Sequence, residues 1–198
     1  GTTGRHIIHE LIATRTPVVA IDTDEAELRD IAARHPEAPF TYIVGDATDD
    51  DVIAQVNLAA ARGLVAALAS DKDNLYLVVS ARLTGANLRI IARCAELSHV
   101  DKLKRAGADG VVSPNHIGGM RMVSEMVRPS VVRFLDEMLR DQRGTFRIEE
   151  VTGAAGVGLD GKTLREADVR GRFGMSVLAI RDVPDQPWIY NPGADHRI

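Results

Sequence analysis

Short apolar runs alternate with one-sided apolar stretches over the first 115 residues of the chain. The apolar runs predict buried parallel strands at 17–22, 40–44, 64–69, 88–93 and 110–113. The stretches between them predict helices at 24–35, 49–57, 71–83 and 98–106. The strand–helix unit repeats at a period of roughly 22–25 residues, which indicates a Rossmann-like, doubly wound parallel α/β sheet with helices on both faces.

The pattern begins with Gly1-Thr2-Thr3-Gly4, which leads into a helix with an apolar stripe over 6–13. Gly1 and Gly4 have the spacing of the second and third glycines of a G-x-G-x-x-G dinucleotide loop. The first helical turn would direct free N–H groups at a phosphate, and the third glycine would allow the helix to pack closely on its strand. We expect the sequence to be a fragment, with the strand before this loop lying ahead of Gly1. Together with the five predicted strands, that strand would give six strands in the doubly wound order.

The pattern changes after Pro114. Residues 116–141 are largely helical, with a break expected at Pro129. Their apolar stripe comprises Met120, Val123, Met126, Val127, Val131, Phe134, Leu135, Met138 and Leu139. Two interpretations stay open, an ordinary core of one chain or a face that meets another copy of the protein.

The remaining residues predict a small α+β lobe. Strands are expected at 146–151, 175–181 and 186–191, and a short helix at 163–167. The chain therefore divides into a nucleotide-binding lobe over 1–115, crossover or dimerisation helices over 116–142, and a C-terminal lobe over 143–198.

Composition excludes several classes of protein. The net charge of −4 argues against a non-specific nucleic-acid binder, which should be basic. The single cysteine, Cys94, excludes an intrachain disulfide. No apolar run reaches about 18 residues, the length that a membrane-spanning helix needs.

Candidate ligand-binding residues follow the predicted strands. Asp22, followed by Thr23, stands where a dinucleotide fold places the acid that binds a ribose 2′-hydroxyl. Its charge would repel a 2′-phosphate, which favours NAD or an adenosine nucleotide over NADP. The alternative is a surface acid that caps the turn to Asp24.

Two further groups end at the same sheet edge. Asp46, Ala47 and Thr48 follow the next strand and would meet an adenine, although Asp46 and Thr48 are also typical turn residues. Asp71 and Asn74 follow the fourth predicted strand when the missing one is counted, and Arg93 ends the fifth. Arg93 would pair either with a phosphate or with Asp71 or Glu96.

No catalytic constellation accompanies this pocket. The tyrosines lack the lysine four residues on that a short-chain reductase needs, because Asp46, Ser80 and Ala194 stand at those places. Residues 156–163 match a Walker phosphate-loop string, but a true loop needs a buried strand before it, a long helix after it and further parallel strands, and only about 35 residues of mixed pattern follow. A nucleotide pocket without a catalytic group favours sensing over turnover, with a small NAD-dependent oxidoreductase and a dimerisation module with a vestigial site as alternatives.

Taken together, the motifs resemble the regulator of potassium conductance (RCK) domain, also called the potassium-transport nucleotide-binding (KTN) domain. The segments that carry the resemblance are Gly-Thr-Thr-Gly-Arg5, Val-Val-Ala-Ile-Asp22, Val-Gly-Asp-Ala-Thr48, Leu-Arg-Ile-Ile-Ala-Arg93, Ala-Gly-Ala-Asp-Gly-Val-Val-Ser-Pro114, Leu-Asp-Gly-Lys-Thr-Leu164 with Glu166, and Val-Leu-Ala-Ile180. In this family the Gly-Lys-Thr-Leu string is a turn into a short helix.

The resemblance implies a ligand-sensing domain on the cytoplasmic face of the cell membrane that gates a potassium channel pore or docks on a transporter subunit. Homodimers commonly assemble into a ring, often an octamer. The usual ligands are NAD, ADP or ATP, or calcium in the channels. The glycine loop, Asp22, the residues 46–48 and Arg93 fall on the family's nucleotide positions.

Two departures narrow the ligand that the resemblance implies. Thr2 and Thr3 stand where ATP-sensing members often have an arginine, so NAD or ADP is favoured over ATP. The crossover segment 127–130 lacks the acid of calcium-gated members, which leaves Glu149 and Glu150 as a candidate divalent-cation site.

Overall fold

A computed structural model describes residues 1–84, 87–140, 150–151, 158–159, 161–183 and 186–198. The chain divides into two compact units, Gly1–Val132 and Arg133–Ile198. The strands of the first unit are β1 (Val18–Asp22), β2 (Phe40–Val44), β3 (Gly63–Ala66), β4 (Arg89–Arg93) and β5 (Gly110–Val112). Its helices are α1 (Thr2–Ala13), α2 (Glu25–Arg34), α3 (Asp50–Ala54), α4 (Asp71–Leu83), α5 (Val100–Arg105) and α6 (Pro114–Val127), and α7 (Pro129–Arg140) crosses the division.

The described strands of the first unit are all parallel, and they form two sheets. Strand β1 pairs with β2, with Val18 opposite Phe40 and Asp22 opposite Val44. Strand β4 lies between β3 and β5. The orders β2-β1 and β3-β4-β5 agree with the doubly wound order 3-2-1-4-5-6. Strand 1 of that order would lie between β1 and β3, and it is not represented among the described strands. The predicted α/β class is confirmed.

Apolar side chains of the strands and of α4 build the core of this unit. Ala66, Ile90 and Ala92 are fully buried in the sheet, and Val78 covers them from α4. Cys94 is buried in the same cluster. Burial raises the pKa of its thiol, as does the charge of Asp71. The thiol therefore stays protonated and unreactive at neutral pH.

Side chains at the helix ends explain where most of the helices begin. The side chains of Asp24, Asp49 and Ser70 cap α2, α3 and α4 by accepting backbone N–H groups of their first turns. Pro114 and Pro129 occupy the first positions of α6 and α7, where a missing N–H costs nothing. The predicted break at Pro129 is confirmed. No helix among the described residues is long and apolar enough to cross a membrane.

The second unit contains α8 (Leu164–Ala167), α9 (Val169–Phe173), β6 (Ala179–Ile180) and β7 (Ile189–Tyr190). Thr163 begins α8 in a capping box with Glu166, as the predicted turn into a helix requires. Strands β6 and β7 are antiparallel and much shorter than predicted, since regular pairing is confined to two residues on each side. The predicted strand at 146–151 lies almost entirely outside the described residues.

Candidate functional site

The site begins where α1 meets the end of β1. The backbone nitrogen of Gly1 lies 3.1 Å from Oδ2 of Asp22, so the glycine loop and the predicted ribose acid are adjacent. Among the residues that the structure describes, no side chain caps α1, and its first turn contains no acid. The first turns of α2, α3 and α4 are instead capped by side chains and carry acids. The N–H groups at the start of α1 are thus free to meet an anion.

Asp22 is held in a tight turn into α2. Its Oδ1 accepts the N–H of Asp24 at 3.1 Å, so the alternative role that the sequence offered, a turn cap, is real and uses one carboxylate oxygen. Partial burial acts to raise the pKa of Asp22, but hydrogen bonds from the backbone N–H groups of Asp24 and Thr23 act in the opposite direction, and the pKa is lowered. Asp22 is therefore ionised at neutral pH and can accept a hydrogen bond from a hydroxyl.

The turn after β2 adjoins Asp22 directly. The N–H of Gly45 donates to the carbonyl of Asp22 at 3.0 Å. Oδ1 of Asp46 accepts both the N–H and the hydroxyl of Thr48 at 2.8 Å, and these bonds lower the pKa of Asp46. The methyl group of Ala47 is buried in the core, so only its backbone can face a ligand. The structure thus brings together the loop, Asp22 and residues 46–48.

The second group of predicted residues clusters at the ends of β3 and β4. Asn74 is fully buried, and its amide binds the N–H of Leu68 at 2.8 Å and the carbonyls of Leu68 and Arg93 at 3.1 and 3.0 Å. Arg93 donates from Nη1 to the carbonyls of Leu68 and Ala69 at 2.8 and 3.1 Å. The structure does not show the ion pair of Arg93 with Asp71 or Glu96 that was considered from the sequence, because Nη1 of this guanidinium is bound to backbone carbonyls.

Asp71 closes the loop that follows β4. Its carboxylate accepts the N–H groups of Ala95 and Glu96 at 2.7 and 3.1 Å, and Nδ1 of His99 lies 2.8 Å from its Oδ2. Burial acts to raise the pKa of Asp71, but His99 and the two backbone donors lower it. These contacts occupy the carboxylate, so Asp71 has a structural role at this edge of the sheet.

One packing expectation differs from the structure. The third glycine of a dinucleotide loop normally allows close packing of helix on strand, yet a Cβ added at Gly4 would meet nothing within 4 Å. Helix α1 contacts β1, and the sheet position that would lie beside β1 is not represented among the described strands. Close packing is found instead at Gly45 in the turn after β2, where an added Cβ would lie 2.9 Å from Val52.

The predicted cation site lies partly outside the described residues. Glu149 is outside them, and Glu150 pairs with Nη2 of Arg181 at 3.2 Å. Within the part of the chain that the structure describes, no group of three or more His, Cys, Asp or Glu side chains is placed to hold a metal ion.

Two partners at the site were not apparent from the sequence. His99 contacts Asp71 across 28 positions, and Arg5 forms an ion pair with Glu27 across 22. Neither spacing belongs to a helical or strand period, so no local pattern indicates these pairs. They become visible only when the β–α turns are placed side by side.

Comparison with known proteins gives the family. The TrkA-N domain family matches residues 1–114. "Probable potassium channel protein 2" of Methanocaldococcus jannaschii is 35% identical over 185 residues, which are 91% of this chain and 54% of that protein. The chain spans about half the length of the first curated relatives that it matches.

Solved structures agree with the fold. The crystal structure of GsuK bound to ADP is 27% identical with a TM-score of 0.51, over 84% of this chain and 48% of that one. The TrkA-N domain of inner membrane protein ybaL from Escherichia coli is 23% identical with a TM-score of 0.57, over 65% and 91%. The family match confirms the resemblance carried by the glycine loop and the strand ends, and the chain belongs to the TrkA-N domain family.

Proposed function

We propose that the chain is the ligand-sensing regulatory domain of a potassium channel or potassium-transport system, and that it binds NAD or an adenine nucleotide. The proposal is supported by the family and by the relatives named as potassium channel proteins. In this role the domain is not an enzyme, and it acts at the cytoplasmic face of the cell membrane through its pore partner.

The observation that carries the proposal is the convergence of Gly1, Asp22 and Gly45 within hydrogen-bond distance. A phosphate would lie against the free N–H groups that begin α1, formed by Thr2, Thr3 and Gly4. The ribose would bind the ionised Asp22 beside Thr23, and the adenine would meet the backbone of Ala47 between Asp46 and Thr48. This order follows the carboxyl edge of the sheet, where ligands bind in doubly wound folds.

The residues at β3 and β4 border the far end of this edge. Asp71 and Asn74 form hydrogen bonds with the backbone of the loops that follow β3 and β4. Contact with the second half of a dinucleotide would come from Arg93, whose side chain is only partly buried. Because the loop offers threonine hydroxyls where an arginine would bind a third phosphate, NAD or ADP is favoured over ATP. The ADP in the GsuK structure supports the same ligand class.

Helix α6 and the start of α7 supply the surface for self-association. Large apolar side chains there are exposed in the single chain: Ile117, Met120, Met122, Val123, Met126, Val127 and Val131. We propose that this face pairs with a second copy and that the pairs assemble into a ring, an octamer, on the pore. A ligand that prefers one arrangement of the ring by about 1–3 kcal/mol would shift the gate between its states.

A divalent cation, such as calcium, would bind at Glu149 and Glu150. Glu150 already has a partner in Arg181, so a cation would replace that ion pair. Calcium titration of the protein, with Glu150→Gln as the variant, tests it. A calcium isotherm that is unchanged in this variant would exclude Glu150 as a ligand.

Calorimetry on the full-length protein tests the nucleotide site. We expect NAD and ADP to bind and Asp22→Ala to weaken both by about tenfold, because the ribose loses a charged acceptor. Asp30→Ala is the matched control, since Asp30 is an exposed acid of α2 that pairs with Arg34 of its own helix. If neither nucleotide binds below about 1 mM, the sensor proposal is wrong. NADH turnover with a carbonyl substrate would identify an oxidoreductase instead.

A further inference from the structure

We propose that Glu27 determines nucleotide specificity by holding Arg5 in an ion pair, which denies a 2′-phosphate its cation. The inference rests on the proposed function, because it concerns the ribose end of the same site. The Arg5–Glu27 pair would discriminate between nucleotides with a 2′-hydroxyl and nucleotides with a 2′-phosphate, and its effect would add to that of the charge of Asp22.

The ion pair is bidentate. Nε of Arg5 lies 2.6 Å from Oε1 of Glu27, and Nη2 lies 2.9 Å from Oε2. Arg5 stands in the first turn and a half of α1, and Glu27 stands in the first turn of α2. The side chain of Arg5 is 47% exposed and that of Glu27 is 23% exposed, so the pair lies at the surface of the site and a ligand can reach it.

Backbone hydrogen bonds link this pair to the ribose acid. Oδ1 of Asp24 accepts the N–H of Glu27, and Oδ1 of Asp22 accepts the N–H of Asp24, both at 3.1 Å. The other oxygen of Asp22 faces Gly1, four residues before Arg5. Through Glu27, the guanidinium of Arg5 is connected to the turn that carries Asp22, and it is turned toward α2.

The charges on this side of the site are mainly negative. Asp22, Asp24 and Glu27 follow one another from the end of β1 into the first turn of α2, and Glu27 engages the guanidinium on the edge that carries Nε and Nη2. That edge has two parallel N–H donors, an arrangement that binds phosphate oxygens in pairs. While Glu27 occupies it, the charge of Arg5 is already balanced, and a 2′-phosphate would meet three carboxylates. A neutral residue at position 27 would release Arg5 to bind the phosphate.

The test compares two ligands that differ only by the 2′-phosphate, AMP and adenosine 2′,5′-bisphosphate. Calorimetry on the full-length protein gives the ratio of their dissociation constants. We expect Glu27→Gln to shift this ratio toward the bisphosphate by about fivefold, the size of an exposed charge contact. The double variant Arg5→Met with Glu27→Gln should abolish the shift. Glu25→Gln, which breaks the Arg29 pair on the same helix, should leave the ratio unchanged.

Each outcome decides the proposal. A shift in Glu27→Gln that depends on Arg5 supports it. A ratio that is unchanged in Glu27→Gln, or that shifts equally in the double variant or in Glu25→Gln, overturns it while the nucleotide site stands. If the wild-type protein binds NAD or ADP but neither of these two ligands below about 1 mM, this inference is overturned and the proposed function stands. If NAD and ADP do not bind either, the proposed function itself fails.

Discussion

Single residues at the sheet edge form hydrogen bonds that join neighbouring turns of the fold. Asp71 is the clearest case, because its side chain is only 9% exposed and three donors from the loop after β4 converge on it. Such a carboxylate stabilises the native state only while it is ionised. Its effect on stability must therefore depend on pH.

We expect Asp71→Asn to destabilise the protein by about 1–3 kcal/mol at neutral pH, because the two backbone donors lose a charged acceptor. The native pKa of Asp71 lies below its ordinary value of 3.8, so near that pH the folded protein binds fewer protons than the unfolded chain. The stabilisation is complete above the ordinary value and disappears as the pH falls through the native pKa. The difference between wild type and variant should narrow in acid.

Urea unfolding followed by circular dichroism at a series of pH values measures this difference. Asp73→Asn removes an exposed acid from the same first turn of α4 and should show no comparable dependence on pH. A constant gap between Asp71→Asn and wild type from neutral pH to pH 3 would contradict this assignment.

At the residue scale, sequence reasoning located side chains more readily than their partners. Asp22 and Asp46 occupy strand ends because the β–α alternation places them there, and this is visible from local pattern. The carbonyls that bind Arg93 and the histidine that binds Asp71 come from other turns, 24 to 28 positions away. These pairings are tertiary, so no helical or strand period could reveal them.

At the scale of elements, helices with capping residues were predictable. The predicted helix at 71–83 matches α4 over its whole length, because Ser70 caps it and acids occupy its first turn. The strands of the second unit were predicted too long. Their apolar residues suggested extended runs, but Leu178 and Tyr190 remain exposed and regular pairing ends after two residues on each strand.

The capping box of α8 gives a prediction for this unit. We expect Thr163→Ala to destabilise it by about 1 kcal/mol, because the N–H of Glu166 loses its acceptor. Thermal unfolding followed by the fluorescence of Trp188 reports on the second unit, since the chain contains one tryptophan. Glu166→Gln preserves a capping box and should stay near wild type. Equal unfolding of Thr163→Ala and wild type would show that the box contributes nothing.

At the scale of the whole molecule, the apolar face of α6 predicts how copies associate. Met122 and Met126 are 70% and 79% exposed in the single chain. We expect Met126→Glu to shift the protein toward smaller species by about tenfold or more in dissociation constant, because a charge would be buried at the interface. Sedimentation velocity over a range of concentrations measures the shift.

Asn115→Glu is the control for this prediction, because it adds the same charge to an exposed polar position at the start of α6. If both variants sediment as wild type does, α6 is not the contact between copies. At this scale the sequence supplied the break at Pro129 and the apolar stripe. It could not decide between core and interface, because the same apolar period serves both.

Substitutions in the turn at residues 46–48 have different consequences at Ala47 and at its two neighbours. Its methyl group is packed in the core, whereas Asp46 and Thr48 on either side are tied to each other at the surface. Substitutions at 46 and 48 can alter ligand preference while the fold persists. A larger residue at 47 would move the turn and strain the core at once. Among proteins descended from a common ancestor with this domain, nucleotide preference should therefore diverge at 46 and 48 while position 47 keeps a small side chain.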